Sequence, residues 1–76
     1  MKDLVAVIAK SLVEHPEDVV VDEKQEERQT VLELRVAKDD MGRVIGRQGR
    51  IAKAIRTVVK AMAVRENKKV TVEIVE

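Results

Sequence analysis

Two stretches of this 76-residue chain alternate apolar and polar side chains, and about thirty residues of helical pattern separate them. In Gln29 to Ala37, Leu32, Leu34 and Val36 point one way while Glu33 and Arg35 point the other. In Lys69 to Val75, Val70, Val72 and Ile74 stand opposite Thr71 and Glu73. A period of two marks a half-buried strand. A long helical connection between strands is a crossover, and a crossover brings the chain back parallel to the strand it left. The two strands are therefore expected side by side and parallel.

The rest of the chain fits around that unit. Leu4, Val5, Ile8, Ala9 and Leu12 recur at helical spacing and predict an amphipathic helix over 2–14, stopped by Pro16. Glu17 to Glu23, with Val19, Val20 and Val21, reads as a short strand. Lys24 to Arg28 reads as a turn, so this strand should pair antiparallel with the next. Within the crossover, Asp39 can accept hydrogen bonds from the free N–H groups of a short helix beginning near Asp40. Gly46 sits where a C-terminal glycine would end that helix. A second helix runs from about Gly49 to Arg65, with Ile51, Ile55, Val58, Val59 and Met62 as its buried stripe and Asn67 as the turn out. The expected fold is α+β in the order α-β-β-α-α-β, with three helices on one face of a three-stranded mixed sheet.

Length allows one domain, spanning 1–76, because a chain this short buries only about 60–65% of its unfolded surface. With no Phe, Trp or Tyr, its core must be aliphatic. The absence of cysteine removes disulfides, thiolate metal sites and thiol catalysis. No apolar run approaches the roughly 18–20 residues that span a bilayer. The start, Met1-Lys2-Asp3-Leu4, lacks the pattern of a secretory signal. A cytoplasmic protein without a membrane contact is expected.

The net charge of +1 conceals a strong asymmetry. Met41 to Arg65 holds Arg43, Arg47, Arg50, Lys53, Arg56, Lys60 and Arg65 and no acid, while the remaining residues carry 8 basic and 14 acidic side chains. A near-neutral chain with one strongly basic third has a sided field suited to a polyanion. At the centre of that third stands Gly46-Arg47-Gln48-Gly49. Glycines three apart remove the side chains that would hold a sugar-phosphate chain at a distance. The helix opening at Gly49 turns unpaired N–H groups and a partial positive charge toward anions. Arg47 in the loop, with Arg43 and Arg50 beside it, adds formal charge. Two glycines could also serve only as helix caps; position in an acid-free segment between two helices favours the binding role.

Val44-Ile45-Gly46-Arg47-Gln48-Gly49-Arg50-Ile51, in the order α-β-β-α-α-β, resembles the type II KH domain. With the His15-Pro16-Glu17-Asp18 break and the stretch Gly49 to Arg56, the whole chain is similar to the stand-alone bacterial KH proteins of the KhpA family. The resemblance implies a groove for about four nucleotides of single-stranded RNA, with the G-x-x-G loop as clamp. Carried over by position, Gly46, Arg47, Gln48 and Gly49 form the clamp. Arg43, Arg50 and Lys53 add cationic contacts, and Val44, Ile45, Ile51 and Ile55 form the groove or support it. Many KH domains place a bulky aliphatic residue three positions after the second glycine, where this chain has Ala52. The resemblance further implies an RNA chaperone or post-transcriptional regulator. It also implies homodimerisation or pairing with a larger KH protein of the KhpB (Jag) type, and a link to cell elongation, cell shape and peptidoglycan homeostasis.

Other signals carry less. His15 precedes Pro16 at a helix end and suits capping there. Asp39 and Asp40 have no third metal ligand evident, and Met41 and Met62 read as core fillers. Ser11 has no base nearby, and no nucleophile, base and oxyanion site assemble. The chain reads as a non-enzyme with no cofactor, no metal and no small-molecule substrate. Two rivals remain: a helix-turn-helix DNA reader, which would insert a long recognition helix into a major groove, and a protein-assembly module. Without aromatic rings, bases must rest on aliphatic side chains and Arg planes, which implies modest affinity and weak sequence preference.

Overall fold

The computed structural model describes residues 1–75, with every side chain among them except those of Arg47 and Gln48. Helix α1 spans Lys2–Leu12, a 3-10 turn follows at Pro16–Asp18, and strands β1 and β2 occupy Val20–Gln25 and Thr30–Arg35. Helix α2 covers Lys38–Arg65 and strand β3 covers Val70–Val75. The sheet order is β1-β2-β3, with β2 antiparallel to β1 and parallel to β3. That is the crossover the alternation demanded. Gly49, at φ +67, breaks the path of α2 into two arms. Counted as arms, the order is α-β-β-α-α-β, the type II KH arrangement.

The core is one aliphatic layer between helices and sheet. Leu32 and Leu34 of β2 are fully buried, and Val21 and Val72 flank them on β1 and β3. Against them pack Val5 and Ala9 of α1 and Ile55 and Val59 of α2. Burial of each such branched side chain contributes about 1.5–3 kcal/mol, so closely packed aliphatics suffice without rings. Around the buried Val31, the opposite sheet face carries charged side chains of both signs, Lys24 and Arg35 among them. Asp22, Glu33 and Glu73 share one rank across the three strands, and Lys24 Nζ lies 3.3 Å from Glu33 Oε2.

Several boundaries differ from expectation for local reasons. β1 begins at Val20 rather than Glu17, because Pro16 opens a 3-10 turn closed by Asp18 N–H to His15 O and Val19 N–H to Pro16 O. It runs on to Gln25, paired with Thr30, so the hairpin turn starts later than Lys24; Glu26 N–H donates to Gln29 O at 2.8 Å. α1 ends at Leu12, which is 40% exposed, so the last apolar position of its stripe lies at the rim. Val58 is likewise 38% exposed, since its neighbour Val59 takes the core-facing position. Asn67 does make the turn out of α2. It is left-handed at φ 55, and Lys68 N–H reaches back to Ala63 O, the pattern of a Schellman cap.

The start of α2 also departs from expectation. The helix begins at Lys38 after Ala37, and no side chain caps it, so Asp39 does not play the capping role. Asp40 instead is 2% exposed and turns its carboxylate onto the end of α1. Oδ1 accepts the Glu14 N–H and Oδ2 the His15 N–H, each at 3.0 Å. These amides lie beyond the last turn of α1, where the helix no longer supplies acceptors. A buried carboxylate is costly unless hydrogen-bonded, and both oxygens here are. Among the described residues no helix is long and apolar enough to cross a membrane.

Asp40→Ala should destabilise the fold by about 2–4 kcal/mol, the cost of two unsatisfied part-buried donors. Asp40→Asn, which offers one acceptor and sets an NH2 against the other amide, should cost about 1–3 kcal/mol. Urea unfolding measures both; a midpoint unchanged in either variant would contradict the tie described.

Candidate nucleic-acid interface

The acid-free stretch lies within α2, and the fold sets its two glycines differently. Gly46 continues the first arm rather than ending it, contrary to the sequence expectation. Gly49 alone takes the left-handed conformation that lets the second arm leave in a new direction. No atom from elsewhere in the described fold lies within 4 Å of where a Cβ would stand on either residue. The space above both is therefore open, and a backbone could approach closely there. Arg47 and Gln48, the expected tip of the clamp, have side chains outside the described residues.

Two hollows flank this bend. One is lined by Asp39, Gly42, Arg43, Gly46, Arg50 and Ile51. The other is lined by Ile45, Gly49, Ala52, Lys53, Arg56 and Ile74, with no acid among them. A third hollow, about 400 Å³, shares Arg56 with the second and continues between α2 and β3 past Lys60 to Lys68 and Lys69. The second and third together make a groove along the free edge of β3. Thr30 N–H donates to Lys69 O at 2.9 Å, and in a parallel ladder this leaves Val70, Val72 and Ile74 with N–H and C=O groups facing outward. Arg56 Nε lies 3.4 Å from one of them, Val72 O.

The expected residues separate onto these surfaces. Ile45 is 52% exposed and forms an apolar wall of the acid-free hollow, with Lys53 beside it. Arg43, Arg50 and the partly buried Ile51 belong to the other hollow. Val44 and Ile55 are fully buried, so they support the groove and cannot line it. Ala52 is 5% exposed and forms the floor; its small side chain makes the groove deeper at that point. Arg56 and Ile74 were missed as groove residues. Lys53, Arg56 and Lys60 recur at i, i+3 and i+7, a spacing that puts three cations on one helix face and could have revealed the track.

Electrostatics distinguish the two flanks. Arg43 Nη2 donates to Glu14 Oε1 at 2.6 Å, and Asp39 also faces the Arg43 hollow. Among the described residues, the lining of the Ile45 hollow carries Lys53 and Arg56 and no acid. An anionic chain crossing the bend is thus favoured on the β3 side.

The KhpA/KhpB KH-domain family model matches residues 2–74. RNA-binding protein KhpA of Clostridium perfringens is 67% identical over 75 residues, covering 99% of this chain and 100% of the relative. The protein of the same name from Clostridium acetobutylicum is 63% identical over 75 residues, with the same coverage. That of Listeria monocytogenes is 51% identical over 76 residues, covering both chains fully. No solved structure gives a significant match.

The glycines should respond in opposite directions to substitution. Gly46→Ala meets no clash and removes unfolded-state freedom, so it should leave stability unchanged or raise it by about 0.5–1 kcal/mol. Gly49→Ala must hold an L-residue at positive φ and should cost about 1–2 kcal/mol. Thermal or urea unfolding reads both. A Gly46→Ala variant as destabilised as Gly49→Ala would mean that Gly46 serves the fold rather than open access.

Proposed function

The chain belongs to the KhpA/KhpB KH-domain family, and from that premise we propose that it binds single-stranded RNA, gripping the backbone at Gly46–Gly49 and laying the bases along the groove beside β3. The observation that carries this reading is the acid-free groove opening directly from the left-handed glycine. A phosphate over the bend meets open space at both glycines. Arg47 and Gln48 complete the clamp, with Arg50 and Lys53 close in sequence. Ile45, Ala52 and Ile74 offer an aliphatic bed for bases, and the outward amides of β3 offer hydrogen bonds to their edges. Without stacking rings the affinity is modest and the sequence preference weak. The protein acts as a binding module, not an enzyme.

Finer roles rest on family likeness. In this reading the protein is a cytoplasmic RNA chaperone or post-transcriptional regulator, self-associating or paired with a larger KhpB-type KH protein. Its RNA targets bear on cell elongation and envelope growth. A protein-docking role as the main activity is favoured by one observation: Val7 and Val64 are 62% and 71% exposed. The double variant Arg47→Asp/Gln48→Asp separates the two. Loss of RNA binding with partner association intact supports the clamp; lost association with RNA binding intact supports docking.

Fluorescence anisotropy with a short single-stranded oligoribonucleotide tests the principal reading. With about three phosphates neutralised, log K should fall against log salt with a slope near −2. Single-stranded RNA should compete better than duplex DNA of equal length. A slope near zero, or preference for the duplex, contradicts it.

A further inference from the structure

We propose that Glu14 is a built-in competitor for Arg43 that withholds this cation from polyanions until a correctly seated RNA displaces it. The inference rests on the RNA reading above and concerns its selectivity. Arg43 is one of the cations flanking the glycine bend, yet its guanidinium is engaged by Glu14 Oε1 at 2.6 Å. Glu14 comes from a distant part of the chain, at the end of α1, and its position is not left to chance. Its own N–H donates to the buried Asp40 carboxylate, which sits on α2 three residues before Arg43. One residue of α2 anchors the Glu14 backbone, and the next turn of the same helix receives its side chain.

The pair is exposed, with half of the Arg43 side chain and 66% of that of Glu14 open to solvent. Such a pair is weak enough for a phosphate to replace the carboxylate. Asp39 lies in the same hollow. Arg43 and Arg50 therefore share their flank with Glu14 and Asp39, while among the described residues Lys53 and Arg56 across the bend face no acid in their hollow. A fully basic surface on both flanks would hold any polyanion, duplexes included, because phosphate contacts carry no sequence or strand information. Neutralising one flank confines the field to the groove beside β3. A strand that also crosses the bend from Gly49 to Gly46 enters the hollow that Arg43 lines, whereas a duplex held only on the groove side does not gain the contact.

The test is Glu14→Gln in the full chain, measured with single-stranded RNA and with duplex DNA across a salt series. The account predicts roughly two- to fivefold tighter binding of RNA, the range that an exposed ion pair can withhold. It predicts an unchanged salt slope for the single strand, which engages Arg43 in both proteins, and for the duplex a steeper slope and a proportionally larger gain. Arg43→Gln should abolish the gain in the Glu14→Gln/Arg43→Gln double variant. Glu17→Gln, which removes a nearby acid that is not paired with Arg43, should reproduce neither effect. A gain that persists without Arg43, one matched by Glu17→Gln, or no gain at all would overturn the proposal while leaving the RNA reading standing. Failure of the unaltered protein to bind single strands would overturn both.

Discussion

A buried carboxylate holds the two halves of this fold in register. Asp40 stands in the first turn of the crossover helix, and its two oxygens take the amides of Glu14 and His15 where α1 has run out of acceptors. Through that tie the end of α1 is set against the arm that leads to the glycine bend. Apolar burial is non-directional, whereas two directed hydrogen bonds to one buried group admit few arrangements. Everything functional on the first arm depends on where Asp40 places it.

From that anchored arm, one residue redirects the chain. Gly49 at φ +67 turns α2 so that its second arm packs Ile55 and Val59 onto the sheet and runs back beside β3. The bend creates the groove and, at the same time, strips its mouth of side chains. Charge is then distributed by face. The helical side holds the acid-free segment, and the far sheet face carries Asp22, Glu33 and Glu73 in one rank beside Lys24 and Arg35. The nearly neutral molecule is polar in the electrical sense, which orients an approaching polyanion before contact.

Much of this was legible in the residues. Leu32, Leu34, Val72 and Ile74 declared the core face of two strands by alternation, and the helical length between them required a parallel return. Asn67, tolerant of positive φ, marked the end of α2. Other features depend on tertiary facts that local pattern does not encode. Asp40 looked like a helix-start acid because nothing in its neighbourhood reveals that distant amides need its oxygens. The sidedness of Val44 and Ile45 on the first arm could not be carried over from the stripe of the second, since a left-handed residue resets the phase of the helical stripe. α1 stopped at Leu12, short of the limit that Pro16 sets, and the single 3-10 turn that Pro16 initiates delayed β1 to Val20. Arg56 and Ile74 emerged as groove residues only once β3 was known to be an edge strand.

The most direct test is an amide NMR titration of the folded protein with a short single-stranded oligoribonucleotide. The account predicts that the largest shifts fall on residues 46–53 and on the outward amides of Val70, Val72 and Ile74, while the rank Asp22, Glu33 and Glu73 stays still. Shifts concentrated on that far sheet face, or a silent glycine bend at saturating RNA, would contradict it.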